Sequence, residues 1–238
     1  MAEAWLLTLR IDILLPFKLI DTATEAGATL RLYQRGEEFS IRVDRAGELM
    51  NSRAHHSEEV LAELACKMIA GRDVPQLLVG GLGIGFTLAA VLSHTGPDAR
   101  VVVSELIPAV VRWNRDYMGQ LAGFPLNDRR VQVREQDVAQ VMRENKGGFD
   151  AIMLDVDNGP SSFTQDDNNA LYGMHGLKQA YEALKPGGVM TVWSASADSA
   201  FTQRLMATGF VVTQQRVGSH RAKRGNHHTI WVCVREGS

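Results

Sequence analysis

The sequence has few cysteines, almost no net charge and no long uninterrupted apolar segment. Its two cysteines among 238 residues, Cys66 and Cys233, lie far apart in apolar stretches, which favours two reduced thiols over a disulfide framework. The formal charge of -2 gives no global electrostatic attraction to nucleic acid or to an anionic membrane. We therefore expect a cytoplasmic protein that does not bind nucleic acid.

The apolar segment near the amino end is interrupted by charge. Residues 5–15 are mostly apolar but include Arg10 and Asp12, and no basic leader precedes them. Such a segment is neither a convincing signal peptide nor a membrane span. Two histidine pairs, at residues 55–56 and 227–228, lack an acid or cysteine at ligand spacing, so we expect no metal site and no membrane partner.

Glycines are concentrated in one turn, Gly81-Leu82-Gly83-Ile84-Gly85, which follows the apolar run 76–79. Twenty residues after its last glycine, Glu105 ends a second apolar run. Glycines allow the backbone to adopt positive φ and to approach a ligand closely, and an acid at the tip of the next strand can accept both ribose hydroxyls. This order predicts a nucleoside-binding site.

The spacing of the glycines then narrows the choice of ligand. A dinucleotide fingerprint needs a third glycine at position 86 or 88, where the chain has Phe86 and Leu88. The remaining G-x-G-x-G pattern suits a single nucleoside with an amino-acid tail. We therefore expect S-adenosylmethionine or a relative of it, although glycine turns also occur for purely structural reasons.

Alternating apolar runs predict an α/β fold. Short buried strands are expected at residues 77–79, 101–103, 131–133, 151–154 and 189–192, with helices near 86–94, 107–120, 138–145, 167–184 and 198–208. This alternation is typical of a doubly wound, Rossmann-like, mostly parallel sheet. Two final strands, 211–217 and 229–234, have only a loop between them and predict a carboxyl-terminal antiparallel hairpin.

The first part of the chain differs from this pattern. Residues 28–45 alternate between apolar and polar about a turn at 34–37 and predict a β-hairpin. Ser57 is a suitable N-cap for a helix with Val60, Leu61, Leu64, Ala65 and Met68 on its apolar side. We therefore divide the chain into a short β region, residues 1–56, and a larger α/β domain, residues 57–238.

Several motifs, taken together, resemble one known family. They are Gly80–Gly85, Ser104–Ile107, Glu135–Val138, Phe149–Asp155 and Ala183–Val189. In their order and setting they resemble the spermidine synthase (polyamine aminopropyltransferase) branch of the methyltransferase superfamily. The resemblance covers about two-thirds of the chain and implies a methyltransferase fold.

The resemblance also implies roles for the donor-site residues. Gly81, Gly83 and Gly85 would pass beneath the donor's tail and sugar, and Glu105 would bind the ribose diol. Asp137 and Val138 would face the adenine. From its sequence position Asp137 is equally suited to cap the helix that follows, and the two roles are compatible.

The resemblance further implies an acidic catalytic site. Asp155 matches the catalytic acid of the aminopropyltransferases. The family's second acid falls at Asn158 here, and Asp157 beside it is our candidate for that role. A stretch that binds the diamine in the family falls near His56-Ser57-Glu58-Glu59. Its residues His56 and Glu59 are our acceptor-site candidates, and Tyr172 could line the acceptor site or simply pack.

One departure from the family affects the predicted reaction. The family's glycine loop carries an aspartate that holds the donor's amine, at a position where this chain has Gly83. The loss of that acid favours S-adenosylmethionine over its decarboxylated form, and so favours methyl transfer to a small amine-bearing acceptor. Aminopropyl transfer to a diamine and non-catalytic nucleoside or polyamine binding remain alternatives. The free edges of the amino-terminal hairpin suggest a homodimer.

Overall fold

The computed structural model describes residues 15–25, 27–156, 170–219 and 227–237. These residues form two compact units, which divide between Arg53 and Ala54. The first unit is an antiparallel sheet, and the second contains a larger sheet with its helices. The second unit holds every described candidate site residue.

The first unit is a four-stranded meander. Its strands are β1 (Lys18–Glu25), β2 (Ala28–Arg35), β3 (Glu38–Val43) and β4 (Gly47–Asn51), which pair in that order. The predicted hairpin is its centre, where β2 and β3 pair from Leu30↔Val43 to Arg35↔Glu38. Leu32, Phe39 and Ile41 are buried in this unit, as is Ser40 between the last two.

The second unit contains a seven-stranded sheet. Its strands are β5 (Gln76–Gly80), β6 (Arg100–Ser104), β7 (Val131–Arg134), β8 (Phe149–Leu154), β9 (Leu184–Ser194), β10 (Phe210–Gly218) and β11 (His227–Arg235). The order across the sheet is β10-β11-β9-β8-β5-β6-β7. The five strands β5 to β9 are parallel, and β11 runs antiparallel to both β9 and β10. The predicted doubly wound sheet with a carboxyl-terminal antiparallel hairpin is therefore confirmed.

One helix precedes β5, and further helices connect the strands of the large sheet. They are α1 (His56–Met68), α2 (Phe86–His94), α3 (Pro108–Trp113), α4 (Val138–Glu144), α5 (Met174–Ala183) and α6 (Ser199–Thr208). A π-helical turn, Asn114–Met118, and two 3-10 turns, Gly119–Ala122 and Pro125–Asn127, follow α3. The single predicted helix over 107–120 is thus three consecutive helical pieces. No helix in the described part of the chain is long and apolar enough to cross a membrane.

The first turn of α1 differs from the sequence-based expectation. His55, and not Ser57, is the N-cap residue. Ser57 is buried, and its Oγ accepts a hydrogen bond from Trp193 Nε1 at 3.0 Å. Because β9 supplies this partner, α1 buries the face that carries Ser57, Leu61 and Ala65, and Met68 is left 53% exposed.

An ion-pair network fixes the amino-terminal edge of the parallel sheet. Asp150, at the start of β8, pairs with Arg72 and with Lys185 Nζ at 2.7 Å, and it accepts the Gln76 amide at 2.7 Å. Burial alone would raise the pKa of Asp150, but these three partners outweigh it and lower that pKa. The opposite, carboxyl edge of the same strands carries the candidate site, where ligands of open α/β sheets bind.

Candidate active site

The glycine turn between β5 and α2 needs glycine at each predicted position. Gly81, Gly83 and Gly85 have φ of 86°, 52° and 97°, a region that other residues rarely adopt. A Cβ at Gly81 would also collide with the carbonyl oxygen of Asp155. The turn therefore brings bare backbone against the end of β8.

Backbone hydrogen bonds join this turn to both neighbouring strands. The Gly81 amide donates to the Ser104 carbonyl at 2.8 Å, and the Asp155 amide donates to the Gly80 carbonyl at 2.9 Å. The turn is therefore held between the tips of β6 and β8. Acids at these two tips, Glu105 and Asp155, lie on either side of it.

Asn114 fixes the turn from the π-helical side. Its Nδ2 donates to the Gly83 carbonyl at 2.6 Å, and the residue is only 1% exposed. Its Oδ1 lies against Gly85, where a Cβ would stand 3.3 Å from it. The π-helical turn thus directs a buried amide at the glycine turn, and such turns are frequent at functional sites.

Glu105 is buried and held by backbone amides. Its Oε2 accepts the Leu82 amide at 2.9 Å and its Oε1 accepts the Ile107 amide at 2.9 Å. Each carboxylate oxygen has two acceptor sites, so a second bond from a ribose hydroxyl is compatible with this geometry. The carboxylate is oriented by the turn, and the predicted ribose contact stays a prediction.

Asp137 and Val138 begin α4 at the same edge of the sheet. Asp137 is exposed and its Oδ1 accepts the Ala139 amide at 2.6 Å, so it caps the helix. Val138 is 6% exposed, and its Cγ2 would stand 2.8 Å from a Cβ at Gly80. The capping role proposed for Asp137 is therefore present, and the adenine contact of both residues stays a prediction.

Asp155 follows β8, and its backbone lies against the glycine turn. Its Oδ2 accepts a hydrogen bond from Thr87 Oγ1, in the first turn of α2, at 2.7 Å. Burial raises the pKa of Asp155 to about 6, and the Thr87 bond opposes this rise. An acid with a pKa near neutrality beside a ligand-binding turn is a good candidate for proton transfer.

The charge of Asp155 acts on a second acid, Glu58 in the first turn of α1. Burial raises the pKa of Glu58 well above its ordinary value, and the charges of Asp155 and Glu59 raise it further. The site therefore contains two carboxyl groups that both resist ionisation in the absence of a cation. Such a pair is suited to an ammonium group, which relieves both the desolvation and the repulsion.

The other predicted acceptor residues lie on a different face of α1. His56 and Glu59, whose Nδ1 and Oε2 are 3.4 Å apart, line a cavity of about 540 Å³ between α1 and α2, together with Phe86 and His94. The structure does not bring these two residues onto the Glu58 face, and their contact with an acceptor stays a prediction. In the described ranges, no group of three or more His, Cys, Asp or Glu side chains has metal-site geometry.

Tyr172 packs in the core behind the site. It is 2% exposed, and its ring meets Phe201 edge to face with centroids 5.6 Å apart. Its hydroxyl donates to the Val156 carbonyl at 3.4 Å, one residue beyond Asp155. Tyr172 thus supports the segment that carries the acid, and its predicted contact with the acceptor is untested. Asp157 lies outside the described residues.

The structure adds three site residues that the sequence did not single out: Thr87, Glu58 and Asn114. Thr87 follows the glycine turn by two residues, so its hydroxyl could have been predicted from the sequence to lie near the site. Glu58 lies in the stretch that falls near the family's diamine-binding residues but was not chosen as a candidate, and Asn114 lay inside an unbroken predicted helix. Both roles depend on partners distant in the sequence.

The chain matches a known domain family and its solved structures. Residues 55–223 match the model of the spermine/spermidine synthase domain. The polyamine aminopropyltransferase of Thermoanaerobacter sp. strain X514 is 31% identical over 122 residues, which are 50% of this chain and 40% of that protein. The polyamine aminopropyltransferase of Leptospira biflexa serovar Patoc strain Patoc 1 / Ames is 29% identical over 164 residues, 68% of this chain and 53% of the relative.

The structural matches extend over nearly the whole chain. The spermidine synthase of Thermotoga maritima matches with a TM-score of 0.74 and 16% identity. The match covers 94% of this chain and 75% of the Thermotoga chain. A spermidine synthase in complex with the transition state analogue AdoDATO matches with a TM-score of 0.73 and 16% identity over the same shares. The curated relatives are matched over about half of their length. With more than half of its residues matched to the family model, the chain belongs to the spermine/spermidine synthase domain family.

Proposed function

We propose that this protein transfers the aminopropyl group of decarboxylated S-adenosylmethionine to a small amine, with a diamine as the preferred acceptor. The single observation that carries this proposal is the environment of Asp155. Its backbone lies at the tip of β8 against the glycine turn, and its carboxyl group is bonded to Thr87 and has a pKa of about 6. The curated relatives named polyamine aminopropyltransferase support the same reaction.

The proposed donor lies across the carboxyl edge of the sheet. Its sugar would lie on Glu105 and its tail over Gly81, where the absence of a side chain leaves backbone available. The adenine would approach the start of α4 at Asp137 and Val138. The residues present therefore fit such a donor without rearrangement of the turn.

The reaction needs alignment and one proton acceptor. The acceptor nitrogen forms a bond to the propyl carbon next to sulfur, and the carbon–sulfur bond breaks with its electron pair going to sulfur. The products are an alkylated ammonium and neutral methylthioadenosine. The ammonium then gives up a proton, for which Asp155 is placed. Because the sulfonium charge disperses in the transition state, orientation and exclusion of water supply most of the rate.

Asp155 is a better proton acceptor here than an ordinary aspartate. A carboxyl group of pKa near 4 is far from an amine of pKa about 10, whereas a carboxyl of pKa about 6 narrows that difference. Asp155 would orient the amine before attack and accept its proton late in the step.

Methyl transfer, which the sequence favoured, receives no support from the relatives. Its basis was the lack of an acid in the glycine turn, and this feature concerns the donor's tail and not the fold. The same crevice with S-adenosylmethionine would bring a methyl carbon to the acceptor. Donor preference therefore separates the two reactions.

The test is a turnover assay with the full chain. Decarboxylated S-adenosylmethionine or S-adenosylmethionine is supplied with a series of α,ω-diamines, and methylthioadenosine release and product mass are followed. We expect an aminopropylated product from the decarboxylated donor and a loss of about 10²-fold or more in kcat for Asp155→Asn. Asp98→Asn, an exposed aspartate at the opposite edge, is the matched control. A methylated product, or unchanged turnover in Asp155→Asn, would contradict the proposal.

A further inference from the structure

We propose that Glu58 binds the terminal ammonium of the donor and thereby selects decarboxylated S-adenosylmethionine over the carboxylated form. This inference rests on the proposed function and assigns its donor specificity to one residue. The glycine turn from Gly80 to Gly85 contains no acid, so a donor with a terminal ammonium needs its counter-charge from another element.

The position of Glu58 is fixed by its neighbours on α1. Ser57 Oγ accepts Trp193 Nε1 at 3.0 Å, and the Leu61 carbonyl accepts Thr191 Oγ1 at 3.2 Å. Both partners belong to β9, which pairs in parallel with β8. These two bonds hold the first turn of α1 at the carboxyl edge of the sheet, where the charge of Asp155 acts on Glu58.

The other described acids around the turn are already engaged. Glu105 accepts two backbone amides, Asp137 caps α4 and Asp155 accepts the Thr87 hydroxyl. Within the described part of the chain, the Glu58 carboxylate has neither a hydrogen bond nor an ion pair. A half-buried carboxylate without a partner beside a second acid is costly unless a cation joins it.

The neighbouring Glu59 does not share this environment. Its two carboxylate oxygens lie 3.5 Å from His55 Nε2 and 3.4 Å from His56 Nδ1. Successive residues on a helix point about 100° apart, so Glu58 and Glu59 serve different faces of α1. Glu58, the unpartnered acid, is the one on which the charge of Asp155 acts.

The charges of Glu58 and Asp155 then determine which of the two donors binds more tightly. An ammonium between Glu58 and Asp155 replaces repulsion between two acids by two attractions. A donor that keeps its carboxylate brings a third negative charge to the same place, which disfavours it. Without the Glu58 charge, this discrimination should fall.

The test is calorimetry on the full chain with three ligands: the decarboxylated donor, S-adenosylmethionine and methylthioadenosine, which lacks the tail. We expect the wild-type protein to bind the decarboxylated donor more tightly than S-adenosylmethionine. Glu58→Gln should weaken the decarboxylated donor about tenfold or more, the typical effect of losing a charged hydrogen bond. It should leave methylthioadenosine within about twofold, which also shows that the variant is folded.

Glu63→Gln, an equivalent change on the same helix at a residue paired with Lys67, is the control and should change none of the three affinities. Unchanged donor preference in Glu58→Gln, or a loss in Glu59→Gln instead, would overturn the assignment while leaving the proposed function standing. Equal or tighter binding of S-adenosylmethionine by the wild type would overturn it without any variant. Failure to bind methylthioadenosine would instead overturn the donor site on which the proposed function depends.

Discussion

The carboxyl group of Asp155 has two properties that oppose each other. The role that we propose for it requires an ionised acid that can take a proton, whereas its surroundings favour the protonated form and raise its pKa from 3.8 to about 6. Each change of one in pKa corresponds to about 1.4 kcal/mol. The folded protein therefore carries an ionised acid that costs it stability at neutral pH.

This cost makes stability depend on pH in a defined direction. Between about pH 4 and pH 6 the folded state holds the Asp155 proton and the unfolded state has released it, so stability falls as pH rises through this window. Asp155→Asn should remove the effect, raising the free energy of unfolding by up to about 3 kcal/mol at pH 8 and changing it little below pH 4. Urea unfolding at both pH values checks this. A variant less stable than the wild type at pH 8 would contradict it.

Thr87 tunes the same acid. Its hydroxyl bond lowers the pKa of Asp155, so Thr87→Val should raise that pKa and shift the acidic limb of the kcat/KM profile to higher pH. Thr87→Ser keeps the hydroxyl and should leave the limb near pH 6. The measurement is kcat/KM for the acceptor against pH, which reports the free enzyme. A limb that moves equally in both variants would refute the role of the hydroxyl.

At the residue scale, the sequence showed at which edge of the sheet the acids lie, but it did not distinguish Glu58 from the adjacent Glu59. Asp155 and Glu105 follow apolar strands, and the end of a buried strand fixes the sheet edge to which they belong. Glu58 and Glu59 share one helical turn, and their directions depend on which face of α1 packs against β9. Ser57, predicted as a cap, is a buried partner of Trp193, and nothing within 100 residues of Ser57 signals that contact.

Among the elements, the glycine turn has the strictest backbone requirement. Gly81 and Gly71 have φ of 86° and 91°, but only Gly81 has atoms within reach of an added Cβ. The turn therefore combines backbone conformation with close approach to β8. Its sequence cannot vary at Gly81 without moving the segment that carries Asp155.

A matched pair of substitutions separates these two effects. Gly71→Ala should cost about 1–2 kcal/mol from backbone conformation alone, whereas Gly81→Ala adds a collision with the Asp155 carbonyl and should cost clearly more. Gly81→Ala should also weaken binding of methylthioadenosine, and Gly71→Ala should not. Thermal unfolding and calorimetry measure both. Equal losses of stability in the two variants would show that the close approach of Gly81 to the Asp155 carbonyl does not affect the free energy of unfolding.

Other elements show where the sequence pattern was sufficient. The strands β5, β6, β8 and β9 were predicted because strands buried on both faces are continuous apolar runs. The edge strand β7 was predicted from Val131 and Val133, which are only partly buried. The outer strands of the first sheet were missed because β1 has a single buried residue, Ala23, and β4 has none. The helix expected over 107–120 contains a π-helical turn at 114–118, which helical periodicity does not distinguish from a regular helix.

For the molecule as a whole, the fold follows from the alternation of elements, but the reaction does not. In the site we propose, methyl and aminopropyl transfer would use the same crevice, the same ribose acid and the same direction of attack. They differ in whether the donor's tail ends in an ammonium alone or also carries a carboxylate. In our proposal, the charges that face this tail come from α1 and from the end of β8, which are far apart in sequence, and motif spacing within the glycine turn contains no information about them.

Oligomeric state also belongs to this scale. The first unit ends in two outer strands, β1 and β4, and unpaired strand edges favour association. The homodimer suggested by the sequence stays a prediction. Light scattering of the full chain should give twice the mass of one chain, and a single-chain mass at all concentrations would contradict it.

The most direct test of the account is a crystal structure with decarboxylated S-adenosylmethionine bound. We expect the ribose hydroxyls on Glu105, the tail over Gly81 and the terminal ammonium between Glu58 and Asp155. A donor bound elsewhere, or a crevice at this edge closed by side chains, would contradict the central claim.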